Sequence, residues 1–298
     1  MSAQGLILID KPKGQTSRKV TTIVSKIFRE KRAGHLGTLD PMATGLLPIL
    51  LGKATRLASF LEADEKEYSA QIKLGEATDT MDAEGKIISS APVPELSSEQ
   101  LEKILDQFRG EIDQTPPMFS AIWHEGKRLY NLARRGETVA PKPRKITIFE
   151  MKLVSFAGTI IDLTVRCSPG TYIRVLANDI GKSIGCGAHL MGLRRLKSGR
   201  FSVDKAVELS SLTDENIGQL LIQMDELLAF PKIEVSDDEG YRIRDGNLIP
   251  FINPKVSDFP IGSMLQVYSK LCFALCEVVE KEGKIFLRPD KVFPADET

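Results

Sequence analysis

The sequence predicts an α/β protein with a small β module at its carboxyl end. Strand and helix patterns alternate over residues 1–230. From there to Thr298, short apolar runs separated by glycines or charges predict strands only. The chain has 298 residues, which is more than one domain usually contains. We therefore expect a large domain over residues 1–230 and a small β domain over residues 231–298.

Three segments of the large domain have strand patterns. Residues 6–10 are a short apolar run, and apolar side chains alternate along residues 68–74 and 161–167. Residues 32–52 lack a regular period and contain four glycines and two prolines. Because glycine and proline interrupt helices and strands, residues 32–52 are expected to form a structured loop.

Two amphipathic helices are predicted in the first half of the chain. Residues 18–29 have apolar side chains at helical spacing, and Ser17 is placed as the N-cap. Residues 101–108 have the same spacing, and Ser97 and Gln100 precede them at the separation of a capping box.

Two further helices are predicted later in the large domain. The first covers residues 173–184 and places Arg174 in its first turn, away from the apolar face. The second lies around residues 217–224 and ends before Pro231. A positive charge is unfavourable at a helix N-terminus, so the position of Arg174 suggests a negatively charged partner.

Composition excludes several classes of protein. Hydrophobic residues make up 42% and charged residues 27% of the chain, which argues against disordered, collagen-like and coiled-coil proteins. No apolar run approaches the roughly 18 residues of a membrane span, so we expect no membrane association and a cytoplasmic location. The four cysteines form no CxxC pair and the three histidines are too few to suggest a zinc site. Nucleotide-binding and serine-nucleophile motifs are not found.

Charge is balanced in total but uneven along the chain. There are 40 basic and 40 acidic residues, yet residues 11–56 hold ten basic against two acidic and residues 62–116 hold five against fourteen. Residues 124–152 and 163–205 are again basic, and residues 208–240 are acidic. The basic segments either converge into one face that attracts a polyanion, or they are ordinary solvated surface.

Asp40 is the first residue of chemical interest. It precedes Pro41 within RAGHLGTLDPMATGLLPILLGKATR, residues 32–56, and basic side chains surround it in sequence. An aspartate before proline is a common turn initiator. A carboxylate held ionised by nearby cations is the alternative, and it would suit a catalytic role.

Five segments of the chain resemble the motifs of one family, the TruB family of tRNA pseudouridine synthases. The segment GHLGTLDPMATGLLPILLGKATR is similar to the catalytic motif of that family. The other four follow the family's order over most of residues 5–200: KPKG (11–14), KEYSAQIKLGEATDTMDAEG (66–85), QTPPMFSAIWHEGKRLYNLARRGETV (114–139) and CSPGTYIRVLANDIG with the HLMGLRR that follows it.

The resemblance implies both a fold and an activity. The fold is a mixed, largely antiparallel central sheet flanked by helices, with the catalytic loop in a cleft. The activity is the isomerisation of uridine to pseudouridine, typically uridine-55 in the T arm of tRNA, by flipping the base and without cofactor or metal. No obligate protein partner is evident. The family usually carries a PUA-type β domain at the carboxyl end, and residues 231–298 have about that size without its glycine pattern.

The same resemblance implies roles for five residues. Asp40 matches the catalytic aspartate, which attacks C1′ of the ribose, attacks C6 of the uracil or removes a ribose proton; these routes stay open. Arg174 matches the arginine that pairs with it, and this pairing is expected to depress the aspartate pKa. Tyr68 matches the tyrosine that stacks on the base and is a candidate for removing the C5 proton. Leu193 matches an apolar pocket residue, and His35 a histidine near the flipped nucleotide.

Several basic residues are expected to contact RNA phosphates: Lys11, Arg18, Lys19, Lys53, Arg56, Arg134, Arg194 and Arg195. Two other functions stay open. One is a synthase of the same superfamily with a different RNA target, and the other is an RNA-binding or tRNA-folding protein in which catalysis is not essential. A retaining glycosidase would need two carboxylates about 5 Å apart, and no motif supplies the second one.

Overall fold

The computed structural model describes residues 3–62, 65–120, 141–251 and 259–295, together with short pieces and single residues between 123 and 139. Its α-helices are α1 (Ser17–Ile27), α2 (Ala58–Glu62), α3 (Ser98–Leu105), α4 (Ile173–Ile184) and α5 (Asp237–Arg244). In the described residues, no helix is long and apolar enough to cross a membrane.

The strands form one large sheet, one smaller sheet and two hairpins. In chain order they are β1 (Gly5–Lys11), β2 (Ala33–His35), β3 (Thr44–Leu51), β4 (Lys66–Leu74), β5 (Glu76–Thr78), β6 (Ile87–Ser90), β7 (Gly110–Gln114), β8 (Trp123–His124), β9 (Lys127–Arg128), β10 (Arg144–Ala157), β11 (Ile160–Cys167), β12 (Ala188–Ser198), β13 (Phe201–Ser202), β14 (Val207–Glu208), β15 (Lys232–Glu234), β16 (Ile249–Pro250), β17 (Met264–Tyr268), β18 (Cys272–Lys281) and β19 (Lys284–Pro294).

The large sheet is mixed and largely antiparallel, as the resemblance implied. Its order is β14-β1-β3-β12-β4-β11-β10-β7, with β2 paired to β3 and β13 paired to β12. Only two pairs are parallel among the described strands of this sheet, β1 with β14 and β3 with β12. The strands predicted from residues 6–10, 68–74 and 161–167 are β1, β4 and β11. The α/β fold class is therefore confirmed.

Helices cover parts of this sheet through separate apolar clusters. Val20 and Val24 of α1 pack with Ile7 and Ile9 of β1. Helices α3 and α4 pack against the core built around β4, β10 and β11. Complete burial of such a side chain contributes about 1.5–3 kcal/mol. Helices α1, α3 and α4 thus each cover a part of the large sheet.

The segment predicted to be a loop, residues 32–52, is half strand. Seven of the eight residues of β3 are buried, and the strand lies between β1 and β12. Its side chains are apolar on both faces, so no alternation marks it in the sequence. Pro48 has no N–H to donate, but its carbonyl accepts from Leu36 N at 2.9 Å. The expectation of a loop is correct only for the residues between β2 and β3.

Two predicted helix features were wrong. The N-cap of α1 is Thr16, whose side chain accepts from Lys19 N, and Ser17 is the first helical residue. Residues 217–224 form turns rather than a helix. Ile222 exchanges hydrogen bonds with Leu6 of β1 at 2.8 and 2.9 Å, so the segment buries its apolar side chains along the sheet. By contrast, the capping box of Ser97 and Gln100 is present at α3.

The carboxyl-terminal sheet has the order β15-β17-β18-β19-β16 and its own core. Helix α5, which the sequence reading missed, begins with a capping box of Ser236 and Glu239. Leu275 and Phe293 of this sheet also join an apolar cluster of the large domain. The domain boundary at residue 230 stays a prediction.

Candidate active site

Asp40 lies in the loop between β2 and β3, and several elements hold that loop in place. Ser17 Oγ donates to Leu39 O at 2.9 Å and accepts from Leu39 N at 2.8 Å. Gly14 N donates to Pro41 O at 2.8 Å. Lys11 Nζ donates to Pro41 O at 3.3 Å and to Gln15 O at 2.6 Å. The residues on both sides of Asp40 are therefore fixed by α1 and by the turn after β1.

Arg174 is the cation that faces Asp40. Its side chain is only 5% exposed, and Nε lies 3.5 Å from Asp40 Oδ2. Nη1 lies 3.7 Å from Asp82 Oδ2, and the guanidinium also donates to the carbonyls of Thr80 and Phe119. Arg174 is outside the apolar cluster of its helix, yet it is buried, because it faces the two carboxylates rather than solvent. Two carboxylates compensate the buried charge at the helix N-terminus.

Asp82 completes this cluster, and sequence reasoning did not single it out. Its side chain is 5% exposed and accepts from Thr80 Oγ1 at 2.6 Å and from Glu84 N at 3.1 Å. These bonds hold one carboxylate oxygen while the other faces Arg174. The only signal was that Asp82 lies within the segment KEYSAQIKLGEATDTMDAEG. Three acidic residues stand close together there, and nothing local distinguishes the buried one.

The pKa of Asp40 is raised above its usual value. Burial is the largest cause, and the nearby Asp82 carboxylate acts in the same direction. Arg174 and then Lys11 lower the pKa against these effects. Arg174 thus lowers the pKa as expected, but desolvation outweighs its effect and the pKa of Asp40 stays above its usual value. The Asp40 side chain nevertheless keeps 37% of its surface exposed, so it is open to an incoming ligand.

Tyr68 and Leu193 lie on the adjacent strands β4 and β12. Tyr68 is 8% exposed and stands opposite Arg195 of β12, while Leu193 stands opposite Ala70 two residues further along β4. Because side chains alternate across a strand, Tyr68 and Leu193 share one face of the sheet. Burial raises the pKa of the Tyr68 hydroxyl, and Arg195 opposes this effect. This apolar face carries the Tyr68 phenol and the buried Arg195 cation.

His35 lies in β2, half-buried, near the same face. Its Nδ1 is buried and has no hydrogen-bond partner in the described part of the chain. Burial lowers the pKa of His35, and the Arg195 charge lowers it further. The ring is therefore held neutral at neutral pH and has an unused hydrogen-bonding atom.

Two of the basic residues predicted to contact phosphate do not fit that role. Lys11 and Arg195 are 0% and 1% exposed. Arg195 donates to Leu46 O at 2.7 Å and to Gly37 O at 3.1 Å, and Lys11 is bonded to the loop carbonyls described above. Both side chains donate their hydrogen bonds to carbonyl oxygens of and around the Asp40 loop, because a buried cation requires such acceptors. They are therefore not available to bind phosphate. Burial lowers the pKa of Lys11 to about 8.

Lys53 and Arg56 contact the carboxyl-terminal sheet. Lys53 Nζ donates to Pro294 O at 3.5 Å, and Arg56 Nη1 donates to Val292 O at 2.7 Å. The Arg56 guanidinium also lies 4.9 Å from the centre of the Phe293 ring. These residues connect the end of β3 to β19.

The other residues predicted to contact phosphate differ in their exposure and in their partners. Arg18 and Lys19 are exposed on α1. Arg194 is partly exposed and bonded to Asp10. Arg134 lies outside the described residues. In the part of the chain that the structure describes, no group of three His, Cys, Asp or Glu is arranged to hold a metal ion.

An aspartate paired with a buried arginine, beside a tyrosine on the face of a mixed sheet, is the arrangement expected of a pseudouridine synthase. Comparison with known proteins supports this class. The model of the TruB family pseudouridylate synthase N-terminal domain matches residues 25–173, and that of the tRNA pseudouridylate synthase B C-terminal domain matches residues 174–229. The chain belongs to the TruB family of pseudouridylate synthases.

Individual relatives agree with this assignment. A tRNA pseudouridine synthase B from Francisella philomiragia is 49% identical over 222 residues, 74% of each chain. One from Coxiella burnetii (strain RSA 493) is 41% identical over 263 residues, 86% of this chain and 85% of the relative. Among solved structures, a chain of a Cbf5-Nop10-Gar1 complex is similar with a TM-score of 0.71 and 26% identity, covering 97% of this chain and 84% of that one.

Proposed function

We propose that this protein isomerises uridine to pseudouridine at position 55 in the T arm of tRNA, in the cytoplasm, with Asp40 as its catalytic carboxylate. The observation that carries the proposal is the contact of Asp40 with the buried Arg174 guanidinium, at 3.5 Å, in a chain of the TruB family. The relatives named above are tRNA pseudouridine synthases, which supports tRNA as the substrate.

The reaction needs an ionised carboxylate in a site that excludes water. The C1′–N1 glycosidic bond breaks, the uracil turns while it is held, a C1′–C5 bond forms and the C5 proton leaves. Arg174 and Lys11 favour the anionic form of Asp40, whereas burial and Asp82 oppose it. The carboxylate is therefore more basic than an ordinary aspartate while a fixed guanidinium orients it. This property suits each of the three proposed first steps.

Tyr68 and Leu193 form the apolar surface for the flipped uracil. Extrusion of a base from a folded loop costs a few kcal/mol. Stacking on an aromatic ring contributes about 1–3 kcal/mol and offsets part of that cost. The Tyr68 hydroxyl faces the Arg195 charge, which counteracts the effect of burial on its pKa. We propose that Tyr68 accepts the C5 proton; because its pKa remains raised, the phenol must first lose its own proton. His35 contributes its unpaired Nδ1 near the nucleotide.

Exposed basic residues provide the RNA contacts. Arg18 and Lys19 on the exposed surface of α1 flank the Asp40 loop, since Ser17 of the same helix bonds to Leu39. Contacts of this kind release counterions, so the logarithm of the affinity should fall with the logarithm of salt concentration by about 0.7–0.9 per phosphate. An affinity that does not change with salt would contradict this part of the proposal.

Tritium release tests the proposed function. A T-arm transcript labelled at uridine C5 is incubated with the wild type and with Asp40→Asn, and a transcript with cytidine at position 55 serves as control. Release by the wild type only, and only from the uridine-55 transcript, is the expected result. Binding without release from the transcript and from a full tRNA pool would favour an RNA-binding protein. Release from the pool alone would indicate a different target uridine.

A further inference from the structure

An ion pair between Asp10 and Arg194 joins two strands beside the active-site loop. Arg194 Nη1 donates to Asp10 Oδ1 at 2.9 Å, and Nη2 donates to Oδ2 at 2.6 Å. This is the bidentate geometry in which a guanidinium and a carboxylate interact most strongly. The side chain of Arg194 is 41% exposed and that of Asp10 is 25% exposed, so the pair is partly shielded from solvent.

The pair crosses a third strand. Asp10 is the last residue but one of β1 and Arg194 lies in β12, and β3 runs between these two strands. Neighbouring strands lie about 4.8 Å apart, so the side chains bridge roughly 10 Å. An aspartate is too short to cover much of this distance. The long stem of Arg194 must therefore lie over β3.

Gly45 lies in β3 beside this crossing. It stands opposite Lys11 on one side and Arg195 on the other, with a φ of +96°. A Cβ at this position would lie 3.0 Å from Arg194 Cγ and 2.4 Å from Arg195 O. Any side chain here would collide with the β12 backbone and with the stem of Arg194. Glycine is thus required at this position mainly by the close approach of the β12 backbone, and it also leaves the Arg194 stem undisturbed.

The strands joined by the pair are those that hold the Asp40 loop. Lys11, the neighbour of Asp10, bonds to Pro41 O. Arg194 pairs with Thr44 at the end of the loop, and Thr44 Oγ1 donates to Leu193 O at 3.4 Å. Asp10 therefore adjoins Lys11, which holds the loop at Pro41. Arg194 adjoins Thr44, where the loop enters β3.

We propose that Asp10 and Arg194 are a positioning pair that fixes the Asp40 loop by bridging β1 and β12, and that Arg194 is not a phosphate contact. This inference rests on the proposed function. Both Nη atoms of Arg194 are bonded to Asp10, so the guanidinium fork is already occupied. The pair acts on the rate through the direction of the Asp40 carboxylate, not on RNA affinity.

The test compares Asp10→Asn, Arg194→Gln, Arg194→Lys and the double variant Asp10→Asn/Arg194→Gln. We expect each neutralising substitution to lower kcat roughly tenfold with KM almost unchanged, because small displacements of a reacting group reduce rates steeply. The double variant should be no slower than the slower single variant, since both break one interaction. Arg194→Lys should recover only part of the rate, because an ammonium cannot bond to both oxygens at once.

The matched control is Asp214→Asn, which breaks an ion pair with Arg29 at 3.5 Å in which both side chains are more than 70% exposed. It should leave kcat and KM unchanged. If Arg194→Gln instead raises KM and weakens the salt dependence while Asp10→Asn leaves kcat intact, Arg194 contacts phosphate and the proposal is wrong. Additive losses of kcat in the double variant would also overturn it.

The same assay separates this proposal from the proposed function. Wild-type tritium release from a full tRNA pool decides whether the protein is a synthase at all, whereas the positioning role depends only on ratios between variants. If Arg194→Gln does not fold, as thermal unfolding would reveal, the kcat of Asp10→Asn decides. Asparagine is nearly isosteric with aspartate, so an unchanged kcat in this variant would refute a positioning role.

Discussion

Replacing Arg174 with lysine should reduce turnover far more than it reduces RNA binding. The guanidinium reaches Asp40 through Nε and Asp82 through Nη1, at 3.5 and 3.7 Å, and both it and Asp82 are 5% exposed. A lysine ammonium is a single point and cannot occupy both positions. We expect it to pair with the buried Asp82 and to leave Asp40 without its oriented partner.

The magnitude follows from the interaction that Asp40 loses. Arg174 Nε makes no hydrogen bond among the described residues, so its contact with Asp40 is an ion pair at 3.5 Å. The value of about 1.5–3 kcal/mol that a hydrogen bond to a charged group contributes is therefore an upper limit for this contact. Because Asp40 is 37% exposed, water replaces part of that interaction, and the lower half of the range applies. At about 1.4 kcal/mol per tenfold change, kcat should fall roughly 10- to 50-fold. The acid limb of the pH–rate profile should also move upward, since Arg174 is the largest influence that lowers the Asp40 pKa.

Single-turnover tritium release between about pH 5 and pH 8 measures both effects. Filter binding of the same RNA and thermal unfolding of the variant serve as controls. A kcat within about threefold of the wild type, with an acid limb at the same pH, would show that the guanidinium does not orient Asp40 and that a simple positive charge is sufficient.

Three other predictions concern residues around this site. Burial lowers the pKa of Lys11 to about 8, so the folded protein releases this proton at a lower pH than the unfolded chain does. The free energy of unfolding should therefore rise as pH increases from about 8 towards the unfolded value of 10.5. A pH series of urea denaturation that is flat in this window, or equal in Lys11→Met, would contradict this. Tyr68→Phe should keep RNA binding but lose at least about 100-fold in tritium release if the hydroxyl accepts the C5 proton. Near-normal release would leave stacking as its role. Arg56→Ala should lower the free energy of unfolding by about 1–2 kcal/mol through its contacts with β19, and calorimetry showing no change would refute this. Its kcat on a short T-arm hairpin should stay at the wild-type value.

Local sequence patterns correctly predicted the strands and helices that are buried on one face only. The alternation along β4 and β11 and the capping box of α3 are properties of short segments, and the structure contains all three. Strand β3 was missed because it is buried on both faces, and its boundaries depend on β1 and β12, which are distant in sequence. The alternation of apolar and polar residues shows which face of a strand is buried. A strand that is buried on both faces has no such alternation.

The site was predictable where the family motifs supplied it. Asp40, Arg174 and Tyr68 were chosen through the resemblance, and the structure places Arg174 against Asp40. The burial of Lys11 and Arg195 was not predictable, because a basic residue in a basic segment has the same local sequence whether it faces solvent or a ring of carbonyl oxygens. Asp82 was missed for the same reason. Its partner lies 92 positions away in the chain, and only the tertiary fold brings the two together.

The many bonds that hold the Asp40 loop before any RNA arrives have a consequence for substrate choice. Ser17, Lys11, Gly14 and Arg195 fix the backbone from Leu36 to Pro41, so the protein has little conformational entropy to lose there when it binds. The rearrangement that binding requires must then take place in the nucleic acid. Discrimination between uridines will follow the ease with which each RNA loop deforms, and a strained or weakly stacked loop will be modified ahead of a stable one with the same sequence.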